Sequence, residues 1–151
     1  ATEKGEEGGE EIKASRLMGL RERRKGASGE RELRRLLCDA LGIEITRNLA
    51  QSHRGGCDLL GVGPWALEVK RQERLALTQW WYQACEQSVD AIPALAYRLS
   101  RKPWLFMVPL EYLLERDCCQ DWFSRPTATL DLEGFCLLTR EIVAEEGDYA
   151  A

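Results

Sequence analysis

Apolar and polar residues follow two rhythms along the 151-residue chain. Leu33, Leu36, Leu37, Ala40 and Leu41 keep the i, i+3, i+4 spacing of one buried helix face. They predict a helix over about 29–41, with Ser28 as N-cap and Gly42 as its end. Ile43-Glu44-Ile45-Thr46-Arg47 alternates and reads as a strand. Leu59-Leu60-Gly61-Val62 and Trp65-Ala66-Leu67 flank Gly63-Pro64, the pattern of a β-hairpin. A second helix is expected from about Leu77 to Val89. Gln79, Gln83 and Gln87 form a polar stripe on it, and Trp80, Trp81, Ala84 and Cys85 fill the other side as core. Pro93 opens a strand over Ala94–Arg98. Trp104–Val108 is continuously apolar, as a strand buried on both faces is. Leu110 to about Trp122 reads as a helix and Gly134–Leu138 as a last strand. The order α-β-β-β-α-β-β-α predicts an α/β fold, a mixed central β-sheet flanked by helices.

This length fits one domain, large enough to bury a core without metal or disulfide staples. No apolar run is long enough to span a membrane, and the acidic, Gly-rich N-terminus does not read as a secretory signal. The six cysteines lack CxxC spacing and have only His53 to assist them, which argues against zinc and for idle thiols in a reducing cytoplasm. The net charge of −4 conceals segregation. Residues 1–11 carry −4, residues 12–110 carry +7 and residues 111–151 carry −7. A basic middle in an acidic protein suits a polyanionic partner. The expected organisation is a flexible arm over 1–24 (acidic and disordered, then basic), a domain over 25–140, and an acidic tail over 141–151. The basic stretch 12–25, which ends in Arg24 and Lys25, reads as a short helix or, in the favoured reading, as a mobile arm that docks on DNA or on a second subunit.

Candidate chemistry lies in the hairpin. On its second strand Glu68 and Lys70 share a face, about 7 Å apart along the strand, with Leu67 and Val69 on the other. Hairpin pairing can bring Asp58 beside Glu68. Two carboxylates and an ammonium then converge on one side of an apolar hairpin, an arrangement able to hold a hard divalent cation and place a water beside it. Glu30 projects near the edge of the first helix's apolar stripe, a direction that suits a third carboxylate, although the helix N-terminal dipole alone also favours an acid there. A Glu-x-Lys on a strand is, in most proteins, a solvated face; Asp58 at hairpin distance is what lifts this one above that reading.

Glu30, then Asp58, then Glu68-Val69-Lys70, then a helix carrying Gln83, resembles the PD-(D/E)XK nuclease superfamily. Within it the chain is most similar to the archaeal-type and phage Holliday-junction resolvases. Lys25-Gly26-Ala27-Ser28-Gly29-Glu30-Arg31-Glu32-Leu33 matches the way their first helix begins. The resemblance covers about residues 25–108, with Cys57 where the motif's proline would stand. It implies a restriction-endonuclease-like core in αβββαβ order and a structure-selective DNA endonuclease, most of all a junction resolvase. Other superfamily activities, on duplex, flap or RNA, and a non-catalytic binding module are the alternatives. By the same resemblance Asp58, Glu68 and the Val69 carbonyl bind Mg²⁺, which Mn²⁺ can replace, and Glu30 contributes directly or through water. Lys70 orients the attacking water or stabilises phosphate charge, and Gln83 supports them. Ser52 and Arg54 match substrate-loop residues, while Arg47 and Arg71 flank the site and can hold phosphates. His53 reads as a phosphate or solvent contact before a general base. The implied partners are branched DNA and a second copy of the chain, since nicking two strands needs two sites; no membrane or small-molecule cofactor enters.

Overall fold

The computed structural model describes residues 7–50, 56–114 and 121–149. Helix α1 (Glu7–Leu41) leads into β1 (Thr46–Arg47), β2 (Leu59–Leu60) and β3 (Trp65–Gln72). Helix α2 (Leu77–Gln87) then connects to β4 (Ile92–Leu99) and β5 (Leu105–Pro109). A short α3 (Glu111–Leu114), β6 (Thr127–Asp131) and α4 (Leu132–Tyr149) complete the described chain. The six strands lie side by side in chain order, β1-β2-β3-β4-β5-β6. Only β3 and β4 are parallel; the other pairs are antiparallel. A parallel pair needs a crossover rather than a hairpin, and α2 supplies it. The sheet is mixed and flanked by helices, the α/β architecture expected.

Alternation along the central strands sorts two cores. Leu67 and Val69 of β3 and Ala94 and Ala96 of β4 join Leu33 and Leu37 of α1 and Phe135 of α4 in the larger one. Leu95 and Tyr97 of β4 meet Trp80, Trp81, Ala84 and Cys85 of α2 on the opposite face. The Trp pair is therefore core, and the α1 stripe is the face that packs on the sheet. Between the hairpin strands Gly61 is required: its φ is +86°, and an added Cβ would lie 2.9 Å from the Glu44 carbonyl oxygen.

Several sequence expectations are corrected. Helix α1 does not start after Ser28 but runs unbroken from Glu7. Residues 10–25 are mostly good helix formers, and the interior glycines are single interruptions. Ser28, inside the helix, presents its Oγ to Arg71 Nη1 at 3.4 Å instead of capping. The strand placed at Gly134–Leu138 is helix; the strand is Thr127–Asp131, whose burial alternates. Asp131 Oδ1 accepts a hydrogen bond from the Gly134 amide at 2.8 Å, so it caps α4. Phe135, Leu138, Thr139 and Ile142 then repeat at helical spacing towards the core, a period hidden by reading only five residues. The helix continues to Tyr149, through most of the stretch expected to form a separate acidic tail over 141–151. Of the helix expected over Leu110–Trp122, Glu111–Leu114 is helical and Trp122 lies in a turn closed by Asp121; residues 115–120 lie outside the described residues.

Phe135 is fully buried, stacked on Phe106 at 4.3 Å and beside Trp65 at 5.6 Å. Phe135→Ala should therefore cost about 3–5 kcal/mol, read as a lowered urea midpoint with an unchanged slope. A cost under about 1 kcal/mol would show that α4 does not pack as described.

Candidate active site

The site is built where β2 meets β3. The Asp58 amide donates to the Leu67 carbonyl at 3.1 Å, and the Asp58 carbonyl accepts from the Asn48 amide at 2.9 Å. These bonds fix the backbone between β1 and β3. The Asp58 side chain turns back onto β3, where Oδ2 accepts from the Val69 amide at 2.7 Å. On β3, Glu68 points to the α2 face and is only 2% exposed, although it carries a carboxyl. Asp58 is 7% exposed. Hairpin pairing thus brings Asp58 and Glu68 together, close enough for the Asp58 charge to act on the Glu68 carboxyl.

Helix α2 closes the site from above. Lys70 Nζ lies 2.9 Å from Glu68 Oε1 and donates to Gln83 Oε1 at 2.8 Å. Gln83 Nε2 donates to the same Glu68 oxygen at 2.9 Å, which completes a closed triangle. Gln87, one turn on and so on the same helix face, serves the other oxygen. With its amide oriented to satisfy both ends, its nitrogen donates to Glu68 Oε2 at 2.8 Å and to the Gly56 carbonyl at 2.7 Å. Its oxygen then accepts from Gln83 Nε2 at 3.2 Å. Sequence reasoning placed Gln87 in the polar stripe but gave it no part in the site. The i, i+4 repeat of Gln83 was the available signal.

The remaining sequence candidates fall into a second zone. Glu30 is not gathered with the pair: its Oε2 accepts from Arg47 Nε at 2.8 Å and Nη2 at 2.6 Å. Among the described residues no three His, Cys, Asp or Glu side chains form a ligand cluster. Arg71 reaches Glu32 at 3.7 Å, and Arg98, its register neighbour on β4, is ion-paired with the same Glu32. Lys25 is ion-paired with Glu73 and donates to Ser100 Oγ at 3.3 Å. Arg24 is exposed on α1. Ser52, Arg54 and His53 lie outside the described residues. Sequence reasoning did not single out Glu32 or Arg98, because their meeting depends on the packing of α1 across β3 and β4.

Residues 21–133, three quarters of the chain, match the sequence model of a family described as "Phage putative PDDEXK endonuclease". The chain belongs to this family. Among solved structures, it is similar to Hjc of the archaeal hyperthermophile Archaeoglobus fulgidus, a Holliday junction resolvase. Identity is 23%, over 78% of this chain and 96% of that one, with a TM-score of 0.42. No curated protein matches. Nucleases of the PD-(D/E)XK superfamily generally use divalent metal ions.

In this PD-(D/E)XK chain the electrostatics fit such an ion. Burial and then the neighbouring Asp58 charge push the Glu68 carboxyl from 4.5 up to about 7, against the opposing pull of Lys70. Two buried acids in contact hold either a proton or a cation between them, and oxygen donors of this kind suit a hard divalent ion. Without metal, folded Glu68 retains a proton that the unfolded chain releases near 4.5. Its contribution to stability is thus fully present below pH 4.5 and lost as pH rises through about 7. In EDTA, Glu68→Gln should be more stable than the parent at pH 8 by on the order of 1–3 kcal/mol, with the two converging near pH 4.5. Urea melts at pH 5 and 8 check this; a pH-independent difference would refute the raised pKa.

Proposed function

We propose that this nuclease is a Mg²⁺-dependent, structure-selective DNA endonuclease that acts on branched DNA, with the four-way junction as its preferred substrate, and works as a homodimer. The observation that carries the catalytic part is the buried pair Asp58 and Glu68, held against Lys70 by Gln83 and Gln87. A like-charged pair in a protein interior is costly, and a fold that only bound nucleic acid would have no physical need of it. That argues against the non-catalytic module.

In this reading Asp58, Glu68 and the Val69 carbonyl hold the ion. When bound, Mg²⁺ supplies Lewis acidity towards the phosphate and lowers the pKa of an attacking water. The protein's own groups do the rest. The Val69 amide fixes the Asp58 rotamer, and Gln87 fixes the Glu68 carboxylate relative to Gly56, at the edge of the segment that carries Ser52 and Arg54. Lys70, oriented by Gln83, presents an ammonium to the charge that develops on the phosphate. Lys25, Arg47, Arg71 and Arg24 take phosphates outside the cut, so affinity falls as salt rises. Glu30, held by Arg47, acts through that arginine or through water.

Incubation with Mg²⁺ and a labelled four-way junction, beside matched duplex and single strand, tests the reading. Paired symmetric nicks on the junction alone are expected, and cutting of all forms equally would discard the junction preference. Glu68→Ala should reduce cleavage by at least about 10³-fold and leave DNA affinity within a few-fold. Loss of binding and folding together would make Glu68 structural. Gln87→Ala should weaken Mn²⁺ binding, measured by calorimetry, by about 10-fold and lower the melting temperature by only a few degrees, as the loss of a donor to the buried Glu68 requires; an unaltered affinity would remove Gln87 from the site.

A further inference from the structure

The N-terminal half of α1 stands apart from the domain. Among the described residues, the first side chain of this helix tied to another element is Lys25; no hydrogen bond or ion pair links residues 10–24 to the rest of the described chain. Ile12 is 69% exposed, Leu17 62% and Met18 64%. Apolar side chains in water add nothing to a helix, and most helix stability in proteins comes from packing an apolar face. Gly19 within this stretch weakens it further. A covered surface is missing. DNA alone would use the six Lys and Arg of residues 12–25 but would leave Ile12, Leu17 and Met18 without an apolar partner.

A complementary surface exists on the same chain. Helix α4, with β6 and α3, walls a groove of about 400 Å³ floored by Leu113, Leu130, Leu138 and Ile142 and rimmed by Glu141 and Glu145. Leu137, on its wall, is 56% exposed. Residues 132–149 carry five acids against Arg140, opposite in sign to residues 12–24, where five Lys and Arg face the single acid Glu22 and follow the acidic start of the helix at Glu7, Glu10 and Glu11. The α1 half cannot reach this groove within its own chain, because it continues as one helix into the domain. We infer that residues 12–24 of α1 dock in the acid-rimmed α4 groove of a second copy of the chain. Each copy supplies one helix and one groove, so mutual exchange satisfies both in a closed two-fold dimer. This deepens the proposed function by giving its homodimer a surface, and it does not depend on the catalytic chemistry.

Sedimentation velocity of the full chain tests it. Wild type should dimerise. Leu17→Asp and Leu137→Asp, both at exposed positions, should each weaken dimerisation about tenfold or more while circular dichroism stays unchanged. The charge reversals K13E/R16E and E141K/E145K should each weaken self-association, and mixing the two should restore a heterodimer through the matched exchange. A monomeric wild type, or a dimer indifferent to these variants, would overturn the inference. So would K13E/R16E losing DNA affinity with its dimer intact, which would give the helix to DNA. Nicking of DNA by a monomeric wild type would sink this surface and leave the nuclease assignment standing; a sensitive dimer that never cleaves would do the reverse.

Discussion

The hydrogen bond from the Val69 amide to Asp58 Oδ2, at 2.7 Å, is the contact on which the site depends. β3 is paired on both edges and covered on both faces as far as Val69, so a polar side chain in that stretch is cut off from water. Only beyond it do Lys70, Arg71 and Gln72 come partly into solvent. Glu68 is tolerated there only because it meets partners. Asp58 occupies the β3 backbone from the hairpin side, and the α2 glutamines occupy Glu68 and Lys70 from the helix side. Remove the strand pairing and the two acids have no reason to share one place.

That arrangement is a conflict left in the interior by design of the chain's own pairing. A single ammonium balances two carboxyls, and the second carboxyl charge has to be met by a proton or by a cation. The raised Glu68 pKa is the measure of the conflict. It also explains why amides rather than acids line α2 at this position. Gln83 and Gln87 donate and accept without adding a charge, so they orient Glu68 without deepening the repulsion.

The cationic zone follows a different rule. Arg47, Arg71, Arg98 and Lys25 are each set against an acid at the surface, by Glu30, Glu32 and Glu73. Half-exposed pairs of this kind contribute little to stability, but they hold long side chains in fixed directions around the place where β3 and β4 end. The fold therefore separates two tasks: a dry carboxyl pair under α2, and a wet, pre-oriented set of cations along α1.

Local pattern sufficed for part of this. The hairpin around Gly63-Pro64, the α1 contact stripe, the Trp pair in the core and the sharing of one face by Glu68 and Lys70 follow from strand and helix periods, which act over a few residues. The meeting of Asp58 with Glu68 followed from hairpin geometry alone. What the sequence could not determine depends on distant segments. The helical state of residues 134–138 rests on Asp131 as cap and on Phe106 and Trp65 as packing partners. Ser28, carried inside α1 by the helix-forming residues before it, meets Arg71 from far along the chain. Glu30 stands with Arg47 rather than with the acid pair because β1 crosses beside α1. Gln87 reaches Glu68 because the β3–α2–β4 crossover sets α2 over that face. Periodicity names which side of an element is polar; only tertiary packing decides what that side touches.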